Sequence, residues 1–244
     1  MKTTALTKPI VLFASALLLG SCNFNVDLGP GISGDGNVVT ETRNSDAPFT
    51  SIEIDRGLEL ELEQSADQSI AVIADQNLQD HISTQISNGV LTITTDENIR
   101  NASSQKIVVK MPKVTALQTS SAASIASKGW IKGQDIAIST SSASEVRLAV
   151  EAENLTLESS SGSSMKLKGK ALKLDVQTSS GSVIDAEQLL ANDIICDASS
   201  GSTADLRPLV SLKASASSGS HISYRGAPKV VTKDAGSGGS ITKE

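Results

Sequence analysis

The second half of the chain alternates hydrophobic and polar residues, and a short serine-rich phrase interrupts this alternation about every 20 residues. Alternation with a period of two predicts β-strands that bury one face. A fixed period of this length is typical of proteins built from stacked coils of chain. The phrases begin at residues 119, 140, 159, 178, 198, 216 and 235, and the first, Thr119–Ser124, is interpreted as carrying one extra residue. The sequence therefore predicts a β-solenoid over residues 119–244.

Aligned on these phrases, the hydrophobic residues fall into two columns before each phrase and two columns after it. Each pair of columns predicts one strand whose inward side chains stack on those of the next coil. The columns contain Ile136, Leu155, Leu174, Ile194 and Leu212; Ile138, Leu157, Val176, Cys196 and Ala214; Val146, Met165, Ile184, Ala204 and Ile222; and Leu148, Leu167, Ala186, Leu206 and Tyr224. We expect the serines of successive phrases to stack in the same way and to hydrogen-bond along their column.

Residues 37–118 also alternate, but they carry no repeat. Leu58–Leu62 places glutamates between leucines, which predicts a half-buried strand, and Asn88-Gly89 is the dipeptide most typical of a hairpin turn. A helical spacing of hydrophobic residues predicts one short helix over Leu78–Ile86. We expect this region to form a β-rich cap on the solenoid, preceded at residues 22–36 by a flexible, glycine-rich tether.

Residues 1–21 predict a lipoprotein signal peptide. Lys2 and Lys8 accompany an apolar run, Ile10–Leu19, that is too short to span a membrane as a mature helix. Leu19-Gly-Ser-Cys22 resembles a bacterial lipobox, in which the cysteine is lipidated and anchors the protein to a membrane. Asn23 after it predicts sorting to the outer membrane, facing either the periplasm or the cell surface. The alternative is an ordinary secretory signal in which the cysteine is incidental.

The order of motifs before the repeats resembles a known bacterial family. Gly34-Asp-Gly-Asn-Val38, Ala74-Asp-Gln-Asn-Leu78 and Gly89-Val-Leu-Thr-Ile93, followed by Ser-Gly-Ser repeats, look like the putative autotransporter adhesin, head GIN domain family over residues 34–244. The resemblance implies a right-handed parallel β-helix in an envelope protein, often a lipoprotein, of mostly undefined function. It carries over no functional residues. Gln64-Ser65 stands where the family pattern has Gln-Gly, which is a minor departure.

Charge and composition narrow the classes of ligand. The net charge is −6, and loss of residues 1–21 would remove two lysines and leave −8, which argues against nucleic acid. With Cys22 lipidated, Cys196 would have no partner, so we expect no intrachain disulfide. Trp130 is the only tryptophan and the candidate ligand contact. It would either stack on a sugar ring or anchor a partner, or else pack against the first coil.

The sequence predicts no catalytic residue, metal site or cofactor. Two S-x-x-K spacings lie in strand or turn sequence, and His81 and His221 are isolated from any nucleophile or metal ligand. A β-helix carbohydrate-active enzyme acting on polysaccharide is the alternative, since Glu158 and Asp197 stand in one row. An intervening coil with Gln177 would hold them roughly 10 Å apart, which is too far to share one cation.

These observations together predict an envelope lipoprotein without catalytic activity. Its partners would be the membrane, through the lipid on Cys22, and a glycan or an envelope or host protein that binds the adhesin-like module. A purely structural envelope element is a further alternative. Because the ends of a solenoid expose strand edges, we also expect end-to-end self-association.

Overall fold

The computed structural model describes residues 31–44 and 46–244, which are nearly all β-structure and form a solenoid of about 7 turns. The predicted signal peptide, Cys22 and the first part of the predicted tether lie outside the described residues. In chain order the strands of the described residues are β1 (Ile32–Ser33), β2 (Val38–Arg43), β3 (Ser51–Ile54), β4 (Glu59–Gln64), β5 (Ser69–Asp75), β6 (Ile82–Ser87), β7 (Val90–Thr95), β8 (Ile99–Asn101), β9 (Gln105–Met111), β10 (Ala116–Thr119), β11 (Ser124–Thr140), β12 (Glu145–Ser159), β13 (Ser164–Thr178), β14 (Val183–Ala198), β15 (Thr203–Ala216), β16 (His221–Tyr224), β17 (Val230–Ala235) and β18 (Ser240–Lys243).

The long strands β11 to β15 pair in parallel, each with the coil before and the coil after it. Because a tight turn reverses the chain between consecutive long strands, each strand must bend at its middle to return. The first half of each strand lies in one part of the continuous 16-stranded sheet, called sheet A, together with β4, β9, β16 and β18. The second half lies in the other part, called sheet B, together with β3, β7, β10 and β17. The predicted hydrophobic columns fill the space between the sheets and are all buried, which confirms the all-β parallel solenoid.

The serine phrases form the tight turns. Ser161 and Gly162 have φ values of 54° and 70°, and the N–H of Ser163 donates to the carbonyl oxygen of Ser160 at 3.2 Å. Two consecutive residues with positive φ define a type I′ turn, for which glycine is the least strained second residue. The turns also stack, since the N–H of Gly162 donates to the carbonyl oxygen of Ser180 in the next coil at 3.0 Å.

Hydroxyl groups that flank the turns are buried and hydrogen-bonded. Thr140 Oγ1 lies 3.0 Å from the Oγ atoms of both Ser159 and Ser163, which are 2.9 Å from each other. Ser182 Oγ donates to the carbonyl oxygen of Ser159 at 2.8 Å. The predicted stacking of serines is therefore confirmed, and backbone carbonyl groups share in it. Cys196, in a neighbouring inward column, is a free cysteine whose pKa is raised by burial.

The first phrase has the same length as the others, so the interpretation that it carries an extra residue is wrong. Its turn is Ser120–Ala123, and Ser124 pairs with Glu145 as the register of the later coils requires. The two additional residues of this coil lie further along β11, between Ala126 and Trp130. Between these two residues β11 advances by four residues while its partner β12 advances by two, from Arg147 to Ala149, which is a β-bulge.

The cap, residues 31–44 and 46–115, differs in two places from its sequence predictions. The predicted helix over Leu78–Ile86 is a 3₁₀ helix, Gln76–His81, followed directly by β6. The Asn88-Gly89 turn pairs β6 with β7 as a hairpin, and this pairing outweighs the helical spacing. The end of the predicted tether is also strand, because Ile32 pairs with Ile99.

Chain order and spatial order diverge in the cap. Strands β3 and β4 form a coil of the same kind as the later ones, with Arg56 and Gly57 as the two positive-φ residues of its turn. This coil lies between the β10–β11 coil and an outer coil made of β7 and β9. Antiparallel strands β5 and β6 pair with the outer coil, and β2 pairs with β5. The sequence analysis did not predict the Arg56-Gly57 turn because that turn contains no serine.

A buried carboxylate ties the cap together. Asp75 accepts hydrogen bonds from the N–H groups of Gly36 at 2.6 Å, Ser103 at 2.7 Å and Ser104 at 3.1 Å. Burial acts to raise the pKa of this carboxyl, but these donors outweigh it and the pKa is lowered. Gly34 packs so closely that a Cβ there would lie 2.5 Å from Asp75 Cγ. Asp75 therefore joins the first strands of the cap to the segment before β9.

Candidate binding groove

The bulge in β11 ends at Trp130, which stands in the outward column that continues through Ala149 to Lys168. Ser127 closes the gap that the bulge leaves in the strand pairing, because its Oγ accepts the N–H of Ala149 and donates to the carbonyl oxygen of Gly129, both at 3.0 Å. Trp130 is 47% exposed, whereas Ile125, Ile131 and Ile136 of the same strand are buried. Bulges are over-represented beside functional sites.

A side chain from the cap holds the other side of the bulge. Gln64 Oε1 accepts the N–H of Lys132 at 2.6 Å. Its Nε2 donates to the carbonyl oxygens of Lys132 at 2.9 Å and Pro112 at 3.1 Å. The backbone is thus hydrogen-bonded to a side chain on each side of Trp130, which fixes the direction in which the indole leaves the strand.

Gly169 forms the surface beneath the indole. A Cβ at this position would lie 2.9 Å from Trp130 Cζ3 and 1.9 Å from the carbonyl oxygen of Val150, and the φ of Gly169 is 131°. Only glycine fits both the backbone conformation and the space. The indole therefore extends from its own strand across β12 to β13, packs against Gly169 and remains half exposed.

The groove beside Trp130 has a volume of about 420 Å³ and is lined by cations. Arg147, Lys166 and Lys168 line it, and its described lining contains no acidic residue. Lys166 Nζ donates to Asp185 Oδ2 at 2.7 Å, and this hydrogen bond raises the pKa of Lys166. Within residues 31–44 and 46–244, Lys168 forms no ion pair. We call this feature the Trp130 groove.

The two acids of the enzymatic alternative line one groove but stand a full coil apart. Gln177 pairs with Glu158 on one side and with Asp197 on the other, so a full coil separates the two acids as expected. A second groove, of about 410 Å³, contains both acids and several serines, and no basic residue is among its described lining. The described part of the chain contains no group of three His, Cys, Asp or Glu residues that could hold a metal ion.

The remaining candidates for catalytic chemistry have structural roles. Ser163 Oγ donates to the carbonyl oxygen of Ser160 at 2.7 Å inside its turn, whereas Lys166 faces solvent beside Asp185. His81 contacts Asp96 in the cap, and His221 Nδ1 lies 2.7 Å from Ser240 Oγ in the last coils. In the spacing Ser163–Lys166 the serine hydroxyl is buried within its turn and the lysine faces solvent, so the two side chains do not meet.

The sequence predicted Trp130 but not its neighbours in the groove. Arg147, Lys166 and Lys168 belong to outward columns, where the residue type changes from coil to coil and leaves no repeating signal. The one sequence signal was the first step between phrases, which is 21 residues where the next two are 19. That step indicates two additional residues in the coil but not where they lie.

A family model described as "Putative auto-transporter adhesin, head GIN domain" matches residues 48–228. The chain belongs to this family. The match covers most of the cap and the solenoid up to β16, including the bulge and the Trp130 groove, and ends before β17 and β18. The family's name indicates an adhesin-like domain of a cell-surface or envelope protein, although its function is unknown.

Solved structures have the same fold at low sequence identity. A putative adhesin from Bacteroides fragilis is 17% identical with a TM-score of 0.83, covering 88% of this chain and 100% of its own. A putative adhesin from Parabacteroides distasonis is 20% identical with a TM-score of 0.75, covering 87% and 99%. A protein from that species described as a putative lipid binding protein is also 20% identical, with a TM-score of 0.72 and coverage of 87% and 99%. No curated protein matches the sequence.

No helix within the described residues is long and apolar enough to cross a membrane.

Proposed function

We propose that this protein is a membrane-anchored binding module of the bacterial envelope, that it has no catalytic activity, and that the Trp130 groove is its ligand site. The observation that carries the proposal is the exposed indole of Trp130. Two side chains brace its strand, Ser127 and Gln64, and a glycine beneath the ring makes room for it. A site held on rigid strands with its contact residue already positioned is what specific binding requires.

Attachment to the envelope is part of the proposal. Its support is the lipobox-like Leu19–Cys22 after a short apolar run, with Asn23 favouring the outer membrane. Labelled palmitate should be incorporated into the full chain and not into the Cys22→Ala variant. Protease treatment of intact cells, followed by immunoblotting, distinguishes the cell surface, where the protein is cleaved, from the periplasm, where it is protected.

Binding is tested by capture from the envelope. The full chain with an affinity tag is crosslinked in cells, purified and compared with Trp130→Ala. Leu172→Ala is the control, because Leu172 is similarly exposed, at 53%, and lines a different groove. We expect captured glycan or protein to be lost in the first variant and kept in the second. Equal capture by both variants would place the site elsewhere, and no capture at all would remove the support for a binding function.

End-to-end self-association belongs to the same proposal. Its support is β17, whose residues are all exposed, with Val230 at 60%. An unpaired strand edge with exposed valine is a typical site for pairing with a second chain. Light scattering should then show a mass that rises with protein concentration, whereas a constant monomer mass would contradict it.

A further inference from the structure

We infer that the Trp130 groove binds an acidic saccharide, meaning a sugar ring that carries a carboxylate, sulfate or phosphate group. The inference rests on the binding function proposed above and names the chemical class of the ligand. It follows from three features of the groove: the sign of its charges, their position beside the indole and the apolar surface that the indole forms.

The sign of the charge is opposite to that of the molecule. The chain has a net charge of −6, yet the titratable side chains of the described groove lining are Arg147, Lys166 and Lys168. Acidic partners reach two of these cations from outside the groove, Glu145 for Arg147 and Asp185 for Lys166. Lys168 has no such partner within the part of the chain that the structure describes. A local excess of positive charge in a concave site concentrates and orients anions.

The cations stand beside the indole. Trp130 pairs with Ala149, and Ala149 pairs with Lys168, so the backbones of Trp130 and Lys168 are two strand spacings apart, roughly 10 Å. The indole crosses this spacing and packs against Gly169, the residue after Lys168. Arg147 and Lys166 form the next outward pair on the same two strands. A ring stacked on the indole would therefore place its anionic substituent among the three cations.

The indole forms the apolar surface beside the cations. Ala149, which pairs with both Trp130 and Lys168, has a small side chain that is only 7% exposed, and the indole extends across its strand to Gly169. The indole offers one broad apolar face above Gly169, which matches the apolar face of a sugar ring. Arg147 adds a planar set of donors that suits carboxylate, sulfate and phosphate groups. An acidic peptide would use the cations but would not need a braced, flat aromatic surface, so a saccharide fits the groove better.

The test uses immobilised oligosaccharides in matched acidic and neutral pairs. The pairs are oligogalacturonate and its methyl ester, sialyllactose and lactose, sulfated and desulfated heparin fragments, and phosphorylated and plain mannose. We expect the full chain to bind the acidic member of at least one pair about tenfold more tightly than its neutral partner. Because the chain has one tryptophan, a fluorescence titration with the bound member then reports on Trp130 alone.

Three variants separate the contributions. Trp130→Ala should weaken binding by about tenfold or more, as the loss of an aromatic anchor does. Lys168→Gln should weaken it by about threefold and reduce its dependence on salt. Lys213→Gln is the control, since Lys213 is an exposed lysine on the outer side of sheet B. This variant should bind the oligosaccharide with the affinity of the wild-type protein.

The outcomes distinguish this inference from the proposed function. Equal binding of acidic and neutral members would overturn the acidic class and leave the binding site intact. Binding to no saccharide, together with Trp130-dependent capture of an envelope protein, would replace the saccharide with a protein ligand and keep the function. If neither saccharide nor envelope component is bound, the inference and the proposed function both fail.

Discussion

Residues 119–139 and residues 140–182 begin with the same type of serine turn, but the strands that follow the two turns pair differently. Strands β12 and β13 pair without interruption, whereas β11 bulges before Trp130. The turns differ in a related way. Thr178 Oγ1 lies 2.8 Å from Ser182 Oγ, while Ala123 takes the position of that serine in the first turn and leaves Thr119 Oγ1 buried with no hydrogen-bond partner among the described residues.

The difference shows what an irregular coil requires. A regular coil is held by its neighbours, because each hydroxyl and each backbone group finds a partner one coil away. The bulged coil needs contacts that the other coils do not use. They come from Gln64 in the cap, Ser127 within the bulge and Gly169 two strands away. Local departures of this kind are expected where a protein binds or reacts, since they weaken the repeat that surrounds them.

The largest expected effect comes from filling the space beneath the indole. In Gly169→Ala the new Cβ would meet the carbonyl oxygen of Val150 and the indole at a φ that alanine avoids, so we expect a loss of about 3 kcal/mol in the free energy of unfolding. Urea unfolding measures it, and the emission of Trp130 should shift because the ring must move.

The matched control is a glycine of a regular turn. Gly181 has a φ of 69° and no atom within 4 Å of the place where a Cβ would lie, and Ala143 occupies the same site in another coil. Gly181→Ala should therefore cost only about 1 kcal/mol. If the two variants unfold at the same urea concentration, the space under Trp130 is not as tightly filled as the contacts indicate.

The cap extends the comparison to a region with no repeat, where a charge takes the place of the stacked hydroxyls. Since the pKa of Asp75 is below its ordinary value of 3.8, its contribution to stability is complete above that value. The contribution is lost as the pH falls toward the lowered pKa. Asp75→Asn should destabilise the protein at pH 7. The carboxylate accepts N–H groups at both of its oxygens, whereas an asparagine amide has only one oxygen that can accept them.

The pH dependence provides the check on Asp75. Urea midpoints of the unchanged protein and Asp75→Asn should differ most at neutral pH and converge as the pH falls below 3.8 and Asp75 becomes protonated. Asp35→Asn is a suitable control, since Asp35 lies in the same segment and is exposed. A constant difference between the two midpoints across the pH range would show that the charge of Asp75 is not responsible.

Sequence patterns predicted the coils of the solenoid better than the groove, for a physical reason. Stacking depends on residues one period apart, so the inward columns from Ile136 to Tyr224 were visible in the sequence. The bulge depends on Gln64, which is 68 residues from Lys132, and no periodic pattern records that contact. The helix predicted over Leu78–Ile86 failed similarly, because the pairing of β6 with β7 decides the conformation of Ile82 and Ile86.

A smaller effect is expected from making a regular turn resemble the first one. Ser182→Ala removes the partner of Thr178 Oγ1 and leaves that hydroxyl buried, which should cost about 1–3 kcal/mol in the free energy of unfolding. The double variant Thr178→Val with Ser182→Ala removes both hydroxyls and should recover most of the loss. Failure of the double variant to recover stability would mean that Ser182 acts mainly through the carbonyl oxygens of Ser159 and Ser179.

The reverse change should stabilise the first turn by a similar mechanism and a smaller amount. Ala123→Ser places a hydroxyl four residues after Thr119, the spacing of the hydrogen-bonded pair Thr178 and Ser182, so the buried Thr119 hydroxyl gains a partner. We expect a gain of about 1 kcal/mol, measured by urea unfolding. Thr119→Val should give a comparable gain by removing the unpartnered hydroxyl. In the double variant, Ala123→Ser with Thr119→Val, the new serine has no hydroxyl at residue 119 to pair with, so the gain in stability should disappear. If Ala123→Ser leaves stability unchanged while Thr119→Val raises it, the turn lacks room for the serine, and the irregularity of this coil extends from the bulge back into its turn.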